Sequence, residues 1–242
     1  MLLLILGGTA EARDLATTLD ALGERVVTSL AGRVARPRLP AGEVRIGGFG
    51  GPVGLAAWLR AYEVTAVVDA THPFAERISA SAAAACAATG VPLLRLERPG
   101  WSERPGDIWA WVDDLDGAAA ALDSLGARAF LTTGRQGLAA FAATTAWCLI
   151  RCVEAPEPPL PAHHLVILDR GPYTPAGEGE LLDRHRIEVV VTKDSGGTHT
   201  RAKLDAARDR GLPVVVVRRP GRPAVEVVET VGEAIAWLGH AG

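Results

Sequence analysis

Leu2-Leu-Leu-Ile-Leu-Gly-Gly-Thr-Ala-Glu-Ala-Arg13 carries the clearest signal of fold class in the chain. The apolar run Leu2 to Leu6, stopped by glycine, reads as a strand buried on both faces. Gly7 and Gly8 permit a tight turn and place no Cβ in the way of a ligand. Thr9 suits an N-cap, and Glu11 falls in the first helical turn, where the macrodipole favours negative charge. Ala12, Leu15, Ala16, Leu19 and Leu22 then share one helical face. Strand, glycine turn and helix N-terminus together offer unpaired N–H groups to an anion. That is the form of a nucleotide-phosphate site built on Gly7, Gly8, Thr9, Ala10 and Glu11. Against the dinucleotide fingerprint G-x-G-x-x-G, the window Gly7–Ala12 lacks the second glycine and has Ala12 for the third. An ordinary β–turn–α unit shares this pattern, so the stretch alone leaves both readings open.

The chain has 242 residues, 48% hydrophobic and 22% charged, with a formal net charge of −3. This is the composition of a soluble globular protein with one large domain or two small ones. The charge gives no general attraction to nucleic acid or to an anionic membrane, so neither is expected as a partner. No apolar run approaches the ~20 residues of a membrane span. Leu2–Leu6 is too short for a signal h-region and follows no basic segment, so a cytoplasmic location is expected. Cys148 and Cys152 lack the further Cys or His pair of a zinc site. Cys86, Cys148 and Cys152 read as buried, inert thiols, and no metal is expected.

Val26–Ser29 reads as a second strand. A dinucleotide site selective for NAD places an acidic residue near its end. Here Ser29 and Arg33 stand there instead, and arginine suits the 2′-phosphate of NADP through charge-assisted bonds. Arg36 and Arg38, close behind, read as solvated loop residues. Val44–Ile46 is a short third strand that enters Gly47-Gly-Phe-Gly-Gly51. Gly47, Gly48 and Phe49 are candidates for the adenosine end of a cofactor. Pro52 opens the next helix. Ala66–Asp69 is the fourth strand, and Thr71, His72 and Pro73 follow at its carboxyl end, where open α/β sheets bind ligands. Val91–Arg95 is a fifth strand. The proline- and glycine-punctuated stretch after it sets a domain boundary, giving 1–100 and 101–242.

The second half repeats the plan. Ala129–Leu131 is a strand followed by the polar glycine loop Thr132-Thr-Gly-Arg-Gln-Gly137. Glu188–Val191 opens into Thr192-Lys-Asp-Ser-Gly-Gly-Thr198, where successive N–H groups around Gly196 and Gly197 would form an anion nest. A plain connection with Thr198 as N-cap is the other reading, but Lys193 and Asp194 add charge that a cap does not need. Leu212–Val217 is a strand, Arg218, Arg219 and Arg222 follow, and a last helix covers Val231–Leu238.

Taken in order, several separated motifs resemble one known family, the precorrin-6A reductases of cobalamin biosynthesis. They are Gly7–Arg13, Ser29–Arg33, Arg45–Gly50, Asp69–Ala75, Arg95–Trp101, Thr132–Arg135 and Thr192–Gly197 with Lys203. The resemblance implies two Rossmann-like, three-layer α/β domains with mainly parallel sheets and a cleft between them. It implies that NADPH reduces a double bond of precorrin-6A, an acidic tetrapyrrole, to give precorrin-6B. The cofactor brings the hard chemistry and the protein positions the reactants. On this reading the first-half loops, Thr71–Pro73 included, hold the coenzyme. The polycarboxylate substrate is met by Thr133, Arg135, Lys193, Asp194, Ser195, Gly196 and Gly197. His72, Asp194 or water delivers the proton. A monomer or small homo-oligomer is expected.

Other classes fit less well. Tyr62 and Tyr173 have Ala66 and Gly177 four residues on, which excludes the Tyr-x-x-x-Lys of short-chain dehydrogenases. The G-x-S-x-G of serine hydrolases is absent from the sequence. A methyltransferase of the same pathway would want an acidic residue where Ser29–Arg33 stands. A nucleotide-sensing module and a cobalt-precorrin-6A reductase using NADH remain as alternatives.

Overall fold

A computed structural model describes residues 1–32, 39–198 and 200–240. In chain order the elements begin with β1 (Leu2–Leu6), α1 (Ala10–Ala21), β2 (Arg25–Leu30), β3 (Glu43–Ile46) and α2 (Gly51–Ala61). They continue with β4 (Ala66–Asp69), α3 (Glu76–Thr89), β5 (Leu93–Leu96), β6 (Trp109–Val112), α4 (Leu115–Leu125) and β7 (Arg128–Leu131). A 3-10 turn (Arg135–Phe141) precedes β8 (Trp147–Cys152), β9 (His164–Leu168), α5 (Pro175–Arg184) and β10 (Val189–Lys193). The last elements are α6 (Ala202–Arg208), β11 (Val214–Val217), β12 (Glu226–Val228) and α7 (Val231–Leu238). The chain divides into two units, Met1–Pro99 with Gly221–Gly242, and Gly100–Pro220.

The first unit holds a six-stranded sheet in the order β12-β5-β4-β1-β2-β3. Every pairing in it is parallel. The alternation of side chains along β1 explains why helices cover both faces. Leu3 and Ile5 pack with Leu15 and Leu19 of α1 and with Ala234 and Leu238 of α7. Leu2, Leu4 and Leu6 pack with Leu55 and Leu59 of α2 and Ala82 and Ala85 of α3. Each fully buried leucine or isoleucine contributes roughly 2 kcal/mol of transfer free energy. β1, buried throughout, is thus the central beam of the unit.

The second unit holds a six-stranded, all-parallel sheet in the order β6-β11-β10-β7-β8-β9. Phe130, Leu149, Val190 and Val214 pack with Leu182 of α5 and Leu204 of α6 on one face. α4 lies against β6, β10 and β11. Read outward from β1 and from β7, the two sheets have one strand order. In each, the order reverses at one place, between β1 and β4 and between β7 and β10. Such a switch point opens a crevice at the carboxyl ends of the strands.

The sixth strand of each sheet arrives by an exchange of the chain. β6 follows β5 in sequence but pairs with β11, and β12 follows β11 but pairs with β5. The C-terminal segment 221–242 therefore belongs to the first unit. This corrects the sequence-based boundary, which puts all of 101–242 in the second domain. The physical reason is the face of sheet one formed by Leu3, Ile5 and Leu94, which α7 covers. The expectation passes over both exchanged strands: β6 is the apolar run Trp109-Ala-Trp-Val112 with no polar alternation, and β12 is only three residues long. The plain-connection reading, with Thr198 as N-cap, does not hold: α6 begins at Ala202 with Arg201 at its N-cap. Leu22, expected on the buried face of α1, is its exposed C-cap residue.

Cys86, Cys148 and Cys152 are buried free thiols. Burial pushes Cys86 and Cys148 up to about 12. Among the described residues no helix is long and apolar enough to cross a membrane, and no group of His, Cys, Asp and Glu is placed to hold a metal ion.

Candidate functional site

The β1/β4 switch point is built by the residues that open this sequence. Gly7 continues the register of β1, its N–H donating to Ser29 O at 2.9 Å. A Cβ on Gly7 would stand 2.8 Å from the Thr28 methyl carbon, so a side chain here would force Thr28 to shift. Gly8 has φ +122°, which L side chains rarely adopt, and among the described residues no atom beyond its chain neighbours lies within 4 Å of where its Cβ would be. Thr9 caps α1, accepting from Ala12 N at 3.1 Å. Its hydroxyl also donates to Ala70 O at 2.7 Å, which ties the β1 loop to the β4 loop. Ala10 and Glu11 open the helix, whose first-turn N–H groups have no partner within it. The Glu11 carboxylate takes an ion pair from Arg98 at 2.7 Å.

The β4 loop is ordered from below. Thr71 bonds Asp69 Oδ1 through its hydroxyl at 2.6 Å and its N–H at 3.2 Å. Asp69 is buried, with Arg95 at 3.6 Å and Arg222 at 3.8 Å. His72 Nδ1 accepts from Phe74 N at 3.2 Å, so the neutral ring carries its hydrogen on Nε2. Arg222 donates to the carbonyls of His72 and Pro73.

Ser29 is buried near the carboxyl end of β2, on the same edge of the sheet. Gly47, Gly48 and Phe49 follow β3, and Gly47 N donates to Leu30 O at 2.8 Å. Arg45 shapes this loop. It donates to Gly47 O at 2.6 Å and Gly48 O at 2.8 Å, and its guanidinium lies 3.9 Å from the Phe49 ring centre. Phe49 packs edge-on against Trp58. Arg33, Arg36 and Arg38 lie outside the described residues.

In the second unit the β7/β10 switch point brings together Thr132–Arg135 and Lys193–Gly197. Gly134, Gly196 and Gly197 have φ of +80°, +66° and +67°, the left-handed turns through which consecutive N–H groups converge on an anion. Thr133 is 4% exposed, and its hydroxyl has no hydrogen-bond partner among the described residues. A buried hydroxyl in that condition marks a place for a ligand or a water. Arg135 pairs with Glu154 at 3.2 Å. Ser195 N donates to Lys193 O at 2.7 Å.

Asp194 is a hub of this loop. It accepts from Trp101 N at 2.9 Å and pairs with Arg219 at 3.2 Å. The Trp101 indole N–H donates to Gly197 O at 2.7 Å. Behind Trp101 lies Lys203, whose Nζ is 4.8 Å from the ring centre and donates to Thr200 O at 2.6 Å. Burial pushes the Lys203 ammonium down to about 7, Arg151 acts in the same direction, and Glu178 opposes. Arg151 and Glu178 form a buried two-bond pair at 2.5 and 3.0 Å.

Among the described residues, the sequence candidates lie on strand ends and loops of the two sheets: Gly7–Glu11 and Thr71–Pro73 at the β1/β4 switch point, Ser29 and Gly47–Phe49 on β2 and after β3, and Thr133–Arg135 and Lys193–Gly197 at the β7/β10 switch point. Sequence reasoning missed the groups that brace them: Arg45, Arg95, Arg219 and Arg222, and the hydrogen bonds of Trp101. An arginine run after β11 was visible, but its acceptors are far away in sequence.

Comparison with known proteins agrees with this architecture. Residues 2–239 match the family model described as precorrin-6x reductase CbiJ/CobK. A precorrin-6A reductase of Rhodococcus erythropolis is 55% identical over 98% of this chain and 97% of its own. A cobalt-precorrin-6A reductase of Salmonella typhimurium is 29% identical over 90% of this chain and 87% of its own. The solved structure of a CobK precorrin-6A reductase superposes with a TM-score of 0.95 at 46% identity, over 100% of this chain and 97% of that one. With the motifs in order, the paired switch points in place and the match running almost end to end, the chain belongs to the precorrin-6x reductase family.

Proposed function

We propose that this chain reduces precorrin-6A to precorrin-6B with NADPH, the coenzyme lying at the β1/β4 switch point. The observation that carries the reading is Gly8. Its backbone is open to an approaching group, its φ excludes a side chain, and it stands before the N-terminus of α1. Such a place receives a pyrophosphate through backbone N–H groups. Gly7, Gly8, Thr9, Ala10 and Glu11 hold the phosphates. Ser29, Gly47, Gly48 and Phe49 border the adenosine, and Arg33 meets the 2′-phosphate. Thr71, His72 and Pro73 orient the nicotinamide, which when bound supplies a hydride. The macrocycle gains that hydride on one carbon of the double bond and a proton on the other.

The second switch point takes the substrate. Thr133, Arg135, Lys193, Ser195 and the N–H groups of Gly196 and Gly197 supply donors to the carboxylates of the tetrapyrrole. Asp194 keeps that loop in shape, because its oxygens already serve Trp101 N and Arg219. Water, or His72 in its imidazolium form, delivers the proton and is left as hydroxide or neutral imidazole. Relatives named for the cobalt-containing substrate are the more distant ones, which does not favour that substrate here.

The test is coenzyme preference, followed at the nicotinamide absorbance with precorrin-6A. Wild type is expected to favour NADPH over NADH by about tenfold or more, the worth of a charge-assisted contact, and Arg33→Ala to lose that preference. Equal use of the two coenzymes by wild type contradicts the role of Arg33. Lys193→Ala is expected to raise the KM for the tetrapyrrole and leave that for NADPH unchanged. The reverse outcome refutes the division of labour between the two switch points.

A further inference from the structure

Arg222 sits on the segment that returns from β11 to β12, and its side chain is 8% exposed. Its guanidinium is spent on the end of β4. Nη2 donates to His72 O at 2.6 Å, Nε to Pro73 O at 3.0 Å, and Nη1 to Ser79 Oγ at 3.0 Å. Asp69 at 3.8 Å and Glu97 at 3.6 Å balance its charge and that of Arg95. A rigid planar fork that holds two successive carbonyls fixes the peptide plane between His72 and Pro73. A lysine, with one point-like head, cannot serve the three acceptors in one geometry.

We infer that Arg222 is the positioning residue of the coenzyme loop, acting through the His72 and Pro73 carbonyls to set Thr71–Pro73 against the nicotinamide. This rests on the reading of that loop given under Proposed function. The second unit repeats the device independently. Trp101 also lies on a segment entering a sixth strand, and it pins the loop after β10 at Asp194 and Gly197. In both units, then, the connection that carries the chain into an exchanged strand fastens the loop after the third strand of the order, β4 in one and β10 in the other.

The experiment uses full-length Arg222→Gln and Arg222→Lys with NADPH and NADPH deuterated at the transferred position. Both variants are expected to lose about ten- to a hundredfold in kcat, the usual effect of a small misplacement. The deuterium isotope effect on kcat is expected to rise, since hydride transfer becomes the slow step, while the tetrapyrrole KM stays within about twofold. Loss of folded protein alone would lower kcat and leave the isotope effect and both KM values unmoved. That result, or a kcat equal to wild type, overturns the inference. If Arg222→Gln does not fold, Ser79→Ala removes one acceptor only and is expected to shift kcat and the isotope effect in the same direction. Wild-type values there overturn the inference. Gly8→Val separates the two levels. If it leaves the NADPH KM intact, the coenzyme site and the positioning role fall together. If it abolishes NADPH use while the Arg222 variants are kinetically silent, only the positioning role falls.

Discussion

The hydroxyl of Thr9 donates to the carbonyl of Ala70 at 2.7 Å across 61 residues of sequence, joining the loops that follow β1 and β4. The same hydroxyl accepts from Ala12 N, so one side chain caps α1 and ties it to the β4 loop. Thr9→Ala is expected to cost about 1–2 kcal/mol in stability through the lost cap and the orphaned carbonyl. It is also expected to raise the NADPH KM several-fold, while Thr9→Ser keeps most of both. Urea midpoints and coenzyme saturation curves measure the two effects.

Lys203 gives a pH dependence of stability. Its folded pKa, about 7, lies below the ordinary 10.5. Between those values the unfolded chain binds a proton that the folded chain does not, so this contribution to stability grows as pH rises from 7 towards 10.5. Below 7 both states are protonated and the full penalty of burying the charge stands. Lys203→Met is expected to stabilise the protein at pH 7 by on the order of 2 kcal/mol and to flatten the slope between pH 7 and 9.5. Equal slopes in the two proteins would disprove burial as the cause.

Arg151 and Glu178 are a buried pair, stacked on Tyr173 with Arg151 3.7 Å from that ring. Removing one partner leaves an uncompensated charge in the interior. Glu178→Gln or Arg151→Met alone is expected to cost about 3–5 kcal/mol, and the double variant less than the sum. A double-mutant cycle by chemical unfolding checks this, and additive costs would contradict it.

The exchanged strands make a prediction for truncation. A chain ended at Pro220 loses β12 and α7 and uncovers Leu3, Leu15 and Leu94. The first unit is expected to lose cooperative unfolding and to bind hydrophobic dye. A truncated chain that melts like the full one would contradict the strand pairing Glu226–Val228 with Leu94–Leu96.

Local chemistry was readable from sequence where it was short-range. β1 and β4 are continuous apolar runs ended by glycine or by a polar cluster. Thr9 is a cap because its side chain needs only a neighbour three residues on. β6 and β12 escape the reading for different reasons: β6 is an apolar run that periodicity alone does not assign to a strand, and β12 is three residues at a sheet edge. Trp109–Val112 is half-buried throughout and Glu226–Val228 mostly exposed. Their partners are also not their neighbours in the chain, which defeats the rule that successive strands lie side by side. Arg222 was seen only as part of a basic run, since its acceptors His72 and Pro73 lie 150 and 149 residues away.

The most direct measurement is a titration of isotope-labelled protein with NADPH, followed at assigned backbone amides. Shifts concentrated at Gly7, Gly8, Thr9, Ala10, Thr71 and His72 are the expected result, with those of Gly134, Gly196 and Gly197 responding to the tetrapyrrole instead. Coenzyme shifts confined to the second switch point, with Gly8 and Thr9 unmoved, would contradict the assignment of the coenzyme to the crevice between β1 and β4.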